Sequence, residues 1–174
     1  RLGRGWSRRW GMWVEGFVRS AGVILVVTGL AKVWSGLGEW RVLGLEDPVF
    51  GLTFRQLMVG VGMVELLVGG VCLVGRGVEV GLVWVSWLAG SIGVYRLGLR
   101  WVGWTQPCGC LGQWTEALGV SPVVADRLML GVLGYLLVGS MICWLVRGWE
   151  IWVTKRGSMK KAESAGDMVK DRLS

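Results

Sequence analysis

Four stretches of about twenty residues constrain this chain more than any other feature: 16–37, 54–75, 78–99 and 122–147, each dominated by Val, Leu, Ile, Met, Trp and small residues. A helix rising about 1.5 Å per residue needs about twenty apolar residues to cross a hydrocarbon core about 30 Å thick. Inside lipid the backbone has no water to bond to, so each crossing must satisfy its amides within its own helix. A soluble domain of 174 residues would spread its apolar side chains at a period of 2 or 3.6; here 53% hydrophobic residues are gathered into runs, with a mean hydropathy of +0.54. The expected fold is an all-α membrane protein, an antiparallel bundle of four transmembrane helices.

The first run also admits a signal-peptide reading, because Arg1, Arg4, Arg8 and Arg9 precede it and its uninterrupted part, 21–31, has the length of an h-region. Against that reading, the leader carries Glu15 and several tryptophans, and no A-x-A site follows.

A net charge of +7 would suit nucleic acid, but its distribution points to lipid instead. Thirteen of the nineteen Lys and Arg residues fall before or just inside the first run, between the second and third, or after the fourth. Lys32, Arg41, Arg55, Arg96, Arg100 and Arg127 belong to the opposite face. Cytoplasmic loops carry the excess of basic residues, so both termini are expected in the cytoplasm and the loops 38–53 and 100–121 outside. Residues 1–15 then form a basic, Trp-rich cytoplasmic leader, 16–147 the membrane domain, and 148–174 a charged cytoplasmic tail expected to be disordered or to lie on the membrane surface.

Local signals agree with these boundaries. Thr53 with Gln56 forms a capping-box pattern opening the second helix. Ser121-Pro122 sets a cap residue before a proline at the first helical position of the fourth. Asp47-Pro48 marks a turn, and Gly75-Arg76-Gly77 leaves almost no room between helices two and three. Tryptophans gather near the ends of the runs, as an aromatic belt requires, while Trp84 and Trp87 sit deeper and are expected to line the bundle. Gly62, Gly69, Gly70, Ala89, Gly93, Gly131 and Gly134 offer small surfaces for close helix packing.

Few side chains carry chemistry. Glu65 is the acidic residue near the middle of a span, and it must be paired, protonated or turned toward a polar cavity. Lys32 and Arg96, near the external ends of their helices, are its available partners. Such a group serves as a proton relay or part of a quinone site, or as a buried staple between helices. Cys72 and Cys143 lie near the cytoplasmic ends of helices two and four and read as small hydrophobes.

Cys108 and Cys110 differ from these. They flank one glycine in the external loop between helices three and four, where an oxidising compartment lets disulfides persist. The chain has no histidine, so zinc would need Glu116, Asp126 or another chain to complete its ligands; a soft monovalent ion on two thiolates stays open. A bridge across one residue is tight, and strained, exposed bridges are the labile ones. The pair therefore reads either as a redox couple or as a passive bridge in a turn. Arg96, Arg100 or a short helix start near 112–114 would favour the thiolate, which is the attacking form.

The stretch 29–73, "GLAKVWSGLGEWRVLGLEDPVFGLTFRQLMVGVGMVELLVGGVCL", followed by "YRLGLRWVGWTQPCGCLG" at 95–112, resembles the MauE/DoxX-like family of small bacterial four-helix membrane proteins. The resemblance covers about residues 16–147 and rests on Lys32, Glu65 and the Cys108-Gly109-Cys110 loop. It implies disulfide or thiol handling on the outer face of the bacterial cytoplasmic (inner) membrane, with an external thioredoxin-like protein or a disulfide-containing client as partner. Cys108 and Cys110 would be catalytic, and Glu65 with Lys32 or Arg96 would handle a proton or line a cofactor site. Quinone as terminal acceptor follows from location and analogy alone. The rival expectation is a non-catalytic subunit of a membrane complex, with the cysteines pinning a loop.

Overall fold

A computed structural model describes residues 3–38, 41–44, 46–47, 50–75, 77–103 and 121–173 of the chain. Four helices carry it: α1 (Gly3–Leu37), α2 (Phe54–Val74), α3 (Val78–Trp101) and α4 (Pro122–Leu173), with a short 3-10 turn at Arg41–Gly44. Among the described residues no β-strand occurs, and the single isolated bridge joins Glu46 to Thr53. Within these helices, Gly11–Leu37, Phe54–Val74, Val78–Trp101 and Val123–Gly157 are each long and apolar enough to cross a membrane. Their outward faces are apolar too: Val23, Leu30, Met63, Leu67, Val83, Val138 and Leu145 are all exposed, as lipid contact demands.

The helix starts follow the chain's own capping chemistry. Thr53 Oγ1 accepts from the Gln56 amide at 3.4 Å, while Gln56 Oε1 accepts from the Thr53 amide at 3.3 Å, closing the capping box of α2. At α4, the Ser121 carbonyl takes the amides of Val124 and Ala125 at 3.0 and 3.2 Å. At the end of α3, Gly103 supplies the left-handed conformation (φ +76°) that lets the chain turn away.

Two helices run further than hydropathy alone suggests. α1 begins at Gly3, not near residue 16, and α4 continues past 147 to Leu173 through the segment expected to be disordered. The physical reason is the lack of a breaker: no proline follows Pro122, and local pairs one turn apart favour the helix. Glu15 accepts from Arg19 at 2.6 Å, and the Arg156 guanidinium lies 3.7 Å from the Trp152 ring centroid.

Each helix buries one narrow stripe. On α1 it runs Val14, Val18, Ala21, Leu25, with Lys32 and Ser35 continuing the same spacing of four and three residues. On α2 it is Met58, Gly62, Glu65, Gly69 and Cys72, and on α3 Leu82, Val85 and Ala89. The α1–α2 seam is the tightest. A Cβ added at Gly29 would lie 2.9 Å from the Gly62 carbonyl oxygen, and one at Gly69 3.0 Å from that of Gly22. Without side chains at these crossings the two backbones approach closely enough for dispersion and Cα–H···O contacts, which drive helix association in lipid. Gly70, Gly131 and Gly134 meet nothing within 4 Å, so three of the glycines expected at packing surfaces do not serve there. Trp84 and Trp87 do not line the bundle either. They are 45% and 56% exposed, because the inward stripe of α3 falls on Leu82, Val85 and Ala89 and turns both indoles out.

Candidate functional site

The bundle interior changes character along its length. One part is apolar but for the Ser140 hydroxyl, which donates to the Leu137 carbonyl: Val14, Val18, Ala21 and Leu25 of α1 pack with Val68, Leu82, Val85, Leu136 and Cys143. Beyond Leu25 the α1 stripe turns polar, through Thr28, Lys32 and Ser35. Asp47, Glu65, Tyr95, Arg96 and Asp126 belong to that same part, in the separate pairs Lys32–Glu65, Tyr95–Asp47 and Arg96–Asp126.

Glu65 and Lys32 form its centre, at 2% and 5% exposure. Lys32 Nζ donates to Glu65 Oε1 at 2.6 Å and to Oε2 at 2.7 Å, spanning both carboxylate oxygens. Thr28 Oγ1 adds a third bond to Oε2 at 3.1 Å. The register of the glycine seam makes this meeting possible, since a Cβ at Gly29 would also touch that of Glu65 at 3.2 Å. Removing two charges from water costs several kcal/mol each, and only close, well-bonded geometry of this kind offsets it. Of the two cations offered to Glu65 by the sequence, Lys32 is the one that meets it.

Arg96 goes elsewhere. Its Nη1 donates to Asp126 Oδ1 at 2.9 Å, tying α3 to the first turns of α4. The two helices are also joined by Trp144 Nε1 donating to Ser86 Oγ at 3.1 Å and by an ion pair between Arg147 and Glu79.

The turn between α1 and α2 contributes Asp47, a residue that the sequence marks only as a turn former. Its side chain is 1% exposed and accepts from the Phe50 amide at 2.8 Å and from the Tyr95 hydroxyl of α3. Its backbone closes the turn: the Asp47 amide donates to Leu52 O and its carbonyl accepts from Gly51, both at 2.8 Å, with Gly51 at φ +65°. Phe50 stacks on Tyr95 at 5.7 Å between centroids. The Arg55 guanidinium then holds the end of α1 through the Gly38 carbonyl at 3.1 Å.

Cys72 and Cys143 are free, buried thiols in the apolar part, and the Cys72 thiol points to the Gly81 carbonyl at 3.8 Å. Cys108 and Cys110 fall in 104–120, outside the described residues. The contacts do settle what flanks that segment: α3 ends at Trp101 and α4 begins at Pro122, with Arg96–Asp126 bridging them.

Thr28 and the α1 glycines Gly22, Gly29 and Gly36 escape a reading of the sequence for charge and hydropathy, although a regular spacing betrays the glycines: they recur every seventh residue, one position beyond the buried stripe. Comparison with known proteins gives this chain no family: no family model, no curated protein and no solved structure matches it.

Proposed function

We propose that this chain is an antiparallel four-span protein of the MauE/DoxX-like type that exchanges disulfides through Cys108 and Cys110. It lies in the bacterial cytoplasmic membrane with both termini inside. Its partner is an external thioredoxin-like protein or a client with paired cysteines. The antiparallel reading is supported by contacts that run in opposite senses: Gly22 against Cys72 and Gly29 against Gly62, then Glu79 with Arg147 and Arg96 with Asp126.

The observation that carries the functional reading is the bonding of the helix ends flanking the Cys-Gly-Cys segment. Arg96 and Asp126 bridge α3 and α4 at 2.9 Å, which ties together the two helices that flank the segment. The polar part of the interior belongs to this same end, so thiol chemistry and proton-exchanging side chains share one side of the bundle. In the exchange itself, a partner thiolate attacks the Cys108–Cys110 bridge, forming a mixed disulfide and freeing one cysteine thiolate. The second partner thiolate then displaces the remaining bond. The partner leaves oxidised, this chain is left with two thiols, two electrons have moved, and the partner's two protons end on the new thiols. Reversal with a second dithiol–disulfide protein regenerates the bridge.

Cys108→Ser and Cys110→Ser, each expressed singly in native membranes and quenched in acid, test this reading. One of them should retain a partner as a mixed disulfide that a reductant releases. If neither retains one and both wild-type cysteines resist a membrane-impermeant alkylating reagent before and after mild reduction alike, the pair is a passive bridge and the chain an assembly subunit.

A further inference from the structure

Ser35 Oγ lies in a residue 2% exposed and has no hydrogen-bond partner among the described residues. One turn back, Lys32 carries three ammonium protons; among the described residues it donates only to the two oxygens of Glu65. Among the described residues a hydroxyl and an ammonium N–H thus stand unanswered three residues apart on one face of α1. A polar group left so in an apolar interior is strongly disfavoured, which makes an orphan of this kind a mark of something that accepts a hydrogen bond.

We propose that Ser35 and Lys32 hold water in a pocket open only to the end of the bundle that carries Asp47, Tyr95 and Arg96, so that the Lys32–Glu65 pair exchanges protons with that side of the membrane alone. Water fits because it accepts from both donors and passes a proton onward, and a buried water needs two to four such partners. The stripe supplies the direction, since Ser35 lies one turn beyond Lys32 toward the end of α1 at Leu37. The opposite direction is sealed. Below Thr28 come Leu25, Ala21 and Val18, packed on Val68, Leu82, Val85 and Leu136. Two hydroxyls beside that plug donate to backbone of their own helices, Ser86 to Leu82 O and Ser140 to Leu137 O, and Thr28 at its border donates to Glu65. At the open end Tyr95 bonds Asp47, Arg96 bonds Asp126 and Arg55 bonds the Gly38 carbonyl, while Glu46, Arg100 and Arg127 are exposed. The pair is therefore a one-sided proton donor and acceptor and no conduit across the membrane. This inference stands apart from the disulfide reading, since it involves none of the cysteines.

Accessibility labelling in sealed vesicles tests it. Ser35→Cys is made in a chain whose four native cysteines are replaced (Cys72→Ala, Cys143→Ala, Cys108→Ser, Cys110→Ser). Val102→Cys and Lys155→Cys in the same background report the two membrane faces. A small charged methanethiosulfonate should modify Ser35→Cys from the Val102 face, with labelling lost from the Lys155 face and lost altogether at Leu25→Cys. Should the background fail to fold, the native protein answers by water-edited solid-state NMR. Transfer from water to the 15Nζ of Lys32, recognised as the lysine signal absent in Lys32→Arg, supports the pocket. Labelling of Ser35→Cys from the Lys155 face or from neither, or no transfer to Lys32, overturns it.

Discussion

Lys32 and Glu65 meet as a doubly hydrogen-bonded ion pair, 2.6 and 2.7 Å between the ammonium nitrogen and the two carboxylate oxygens, buried between α1 and α2. Each charge is tolerable in that position only because the other is there. Removing one leaves an uncompensated buried ion, whereas removing both restores an apolar seam. Glu65→Leu and Lys32→Met should each destabilise the bundle by about 3–5 kcal/mol, and the double variant should regain most of that loss. Reversible unfolding in lipid–detergent mixtures measures it. A double variant as unstable as the worse single one would contradict the pairing.

The glycine seam makes a second, purely steric prediction. Gly29→Ala places a Cβ 2.9 Å from the Gly62 carbonyl oxygen, and that backbone oxygen has no free rotation by which to yield. The cost should be about 1–3 kcal/mol, as for overpacking elsewhere. Gly131→Ala meets nothing within 4 Å and should leave stability unchanged or raise it by up to about 1 kcal/mol through helix propensity. Equal effects at both positions in the same unfolding assay would refute the close crossing.

Arg96 and Asp126 are partly exposed, so their bond is worth less than the buried pair; a coupling of about 1 kcal/mol in a double-mutant cycle is expected. Its larger consequence should be local. Arg96→Gln loosens the stem of the 102–121 segment and should raise its cleavage by an added protease, while the exchanged pair Arg96→Asp with Asp126→Arg restores protection.

Tyr95→Phe removes a hydroxyl that donates to buried Asp47. The carboxylate keeps the Phe50 amide but loses a donor, at a cost of about 1–3 kcal/mol. The 46–53 turn should then exchange its amide hydrogens faster, most visibly at Asp47 and Gly51, whose amides close it at 2.8 Å. Unchanged protection there would show that Tyr95 does not anchor the turn.

Several of these features are legible in the amino-acid sequence itself. The four spans follow from hydrocarbon thickness and composition alone, and the cap at Thr53 from local chemistry that needs no tertiary context. Glu65 stands out because a carboxylate deep in an apolar run must find a partner. Which cation it finds depends on register: in the sequence Arg96 is an equal candidate, but in the fold Asp126, in the first turns of α4, lies opposite it. Asp47 and Tyr95 are 48 residues apart and meet only through the turn between α1 and α2, so no short-range pattern reveals them. The outward turn of Trp84 and Trp87 depends on which stripe of α3 is buried, and a helix apolar all round does not declare that in its sequence. The full lengths of α1 and α4 are hidden because hydropathy marks where lipid ends and says little about where a helix ends.

Whether Cys108 and Cys110 cycle, as proposed, is decided by a redox titration of the chain in native membranes. With Cys72→Ala and Cys143→Ala in place, the two remaining thiols are equilibrated against a series of glutathione ratios and counted by mass-tag alkylation. One reversible two-electron transition, moving both cysteines together between zero and two tags, is the predicted result. Two free thiols or a closed bridge at every ratio would contradict it.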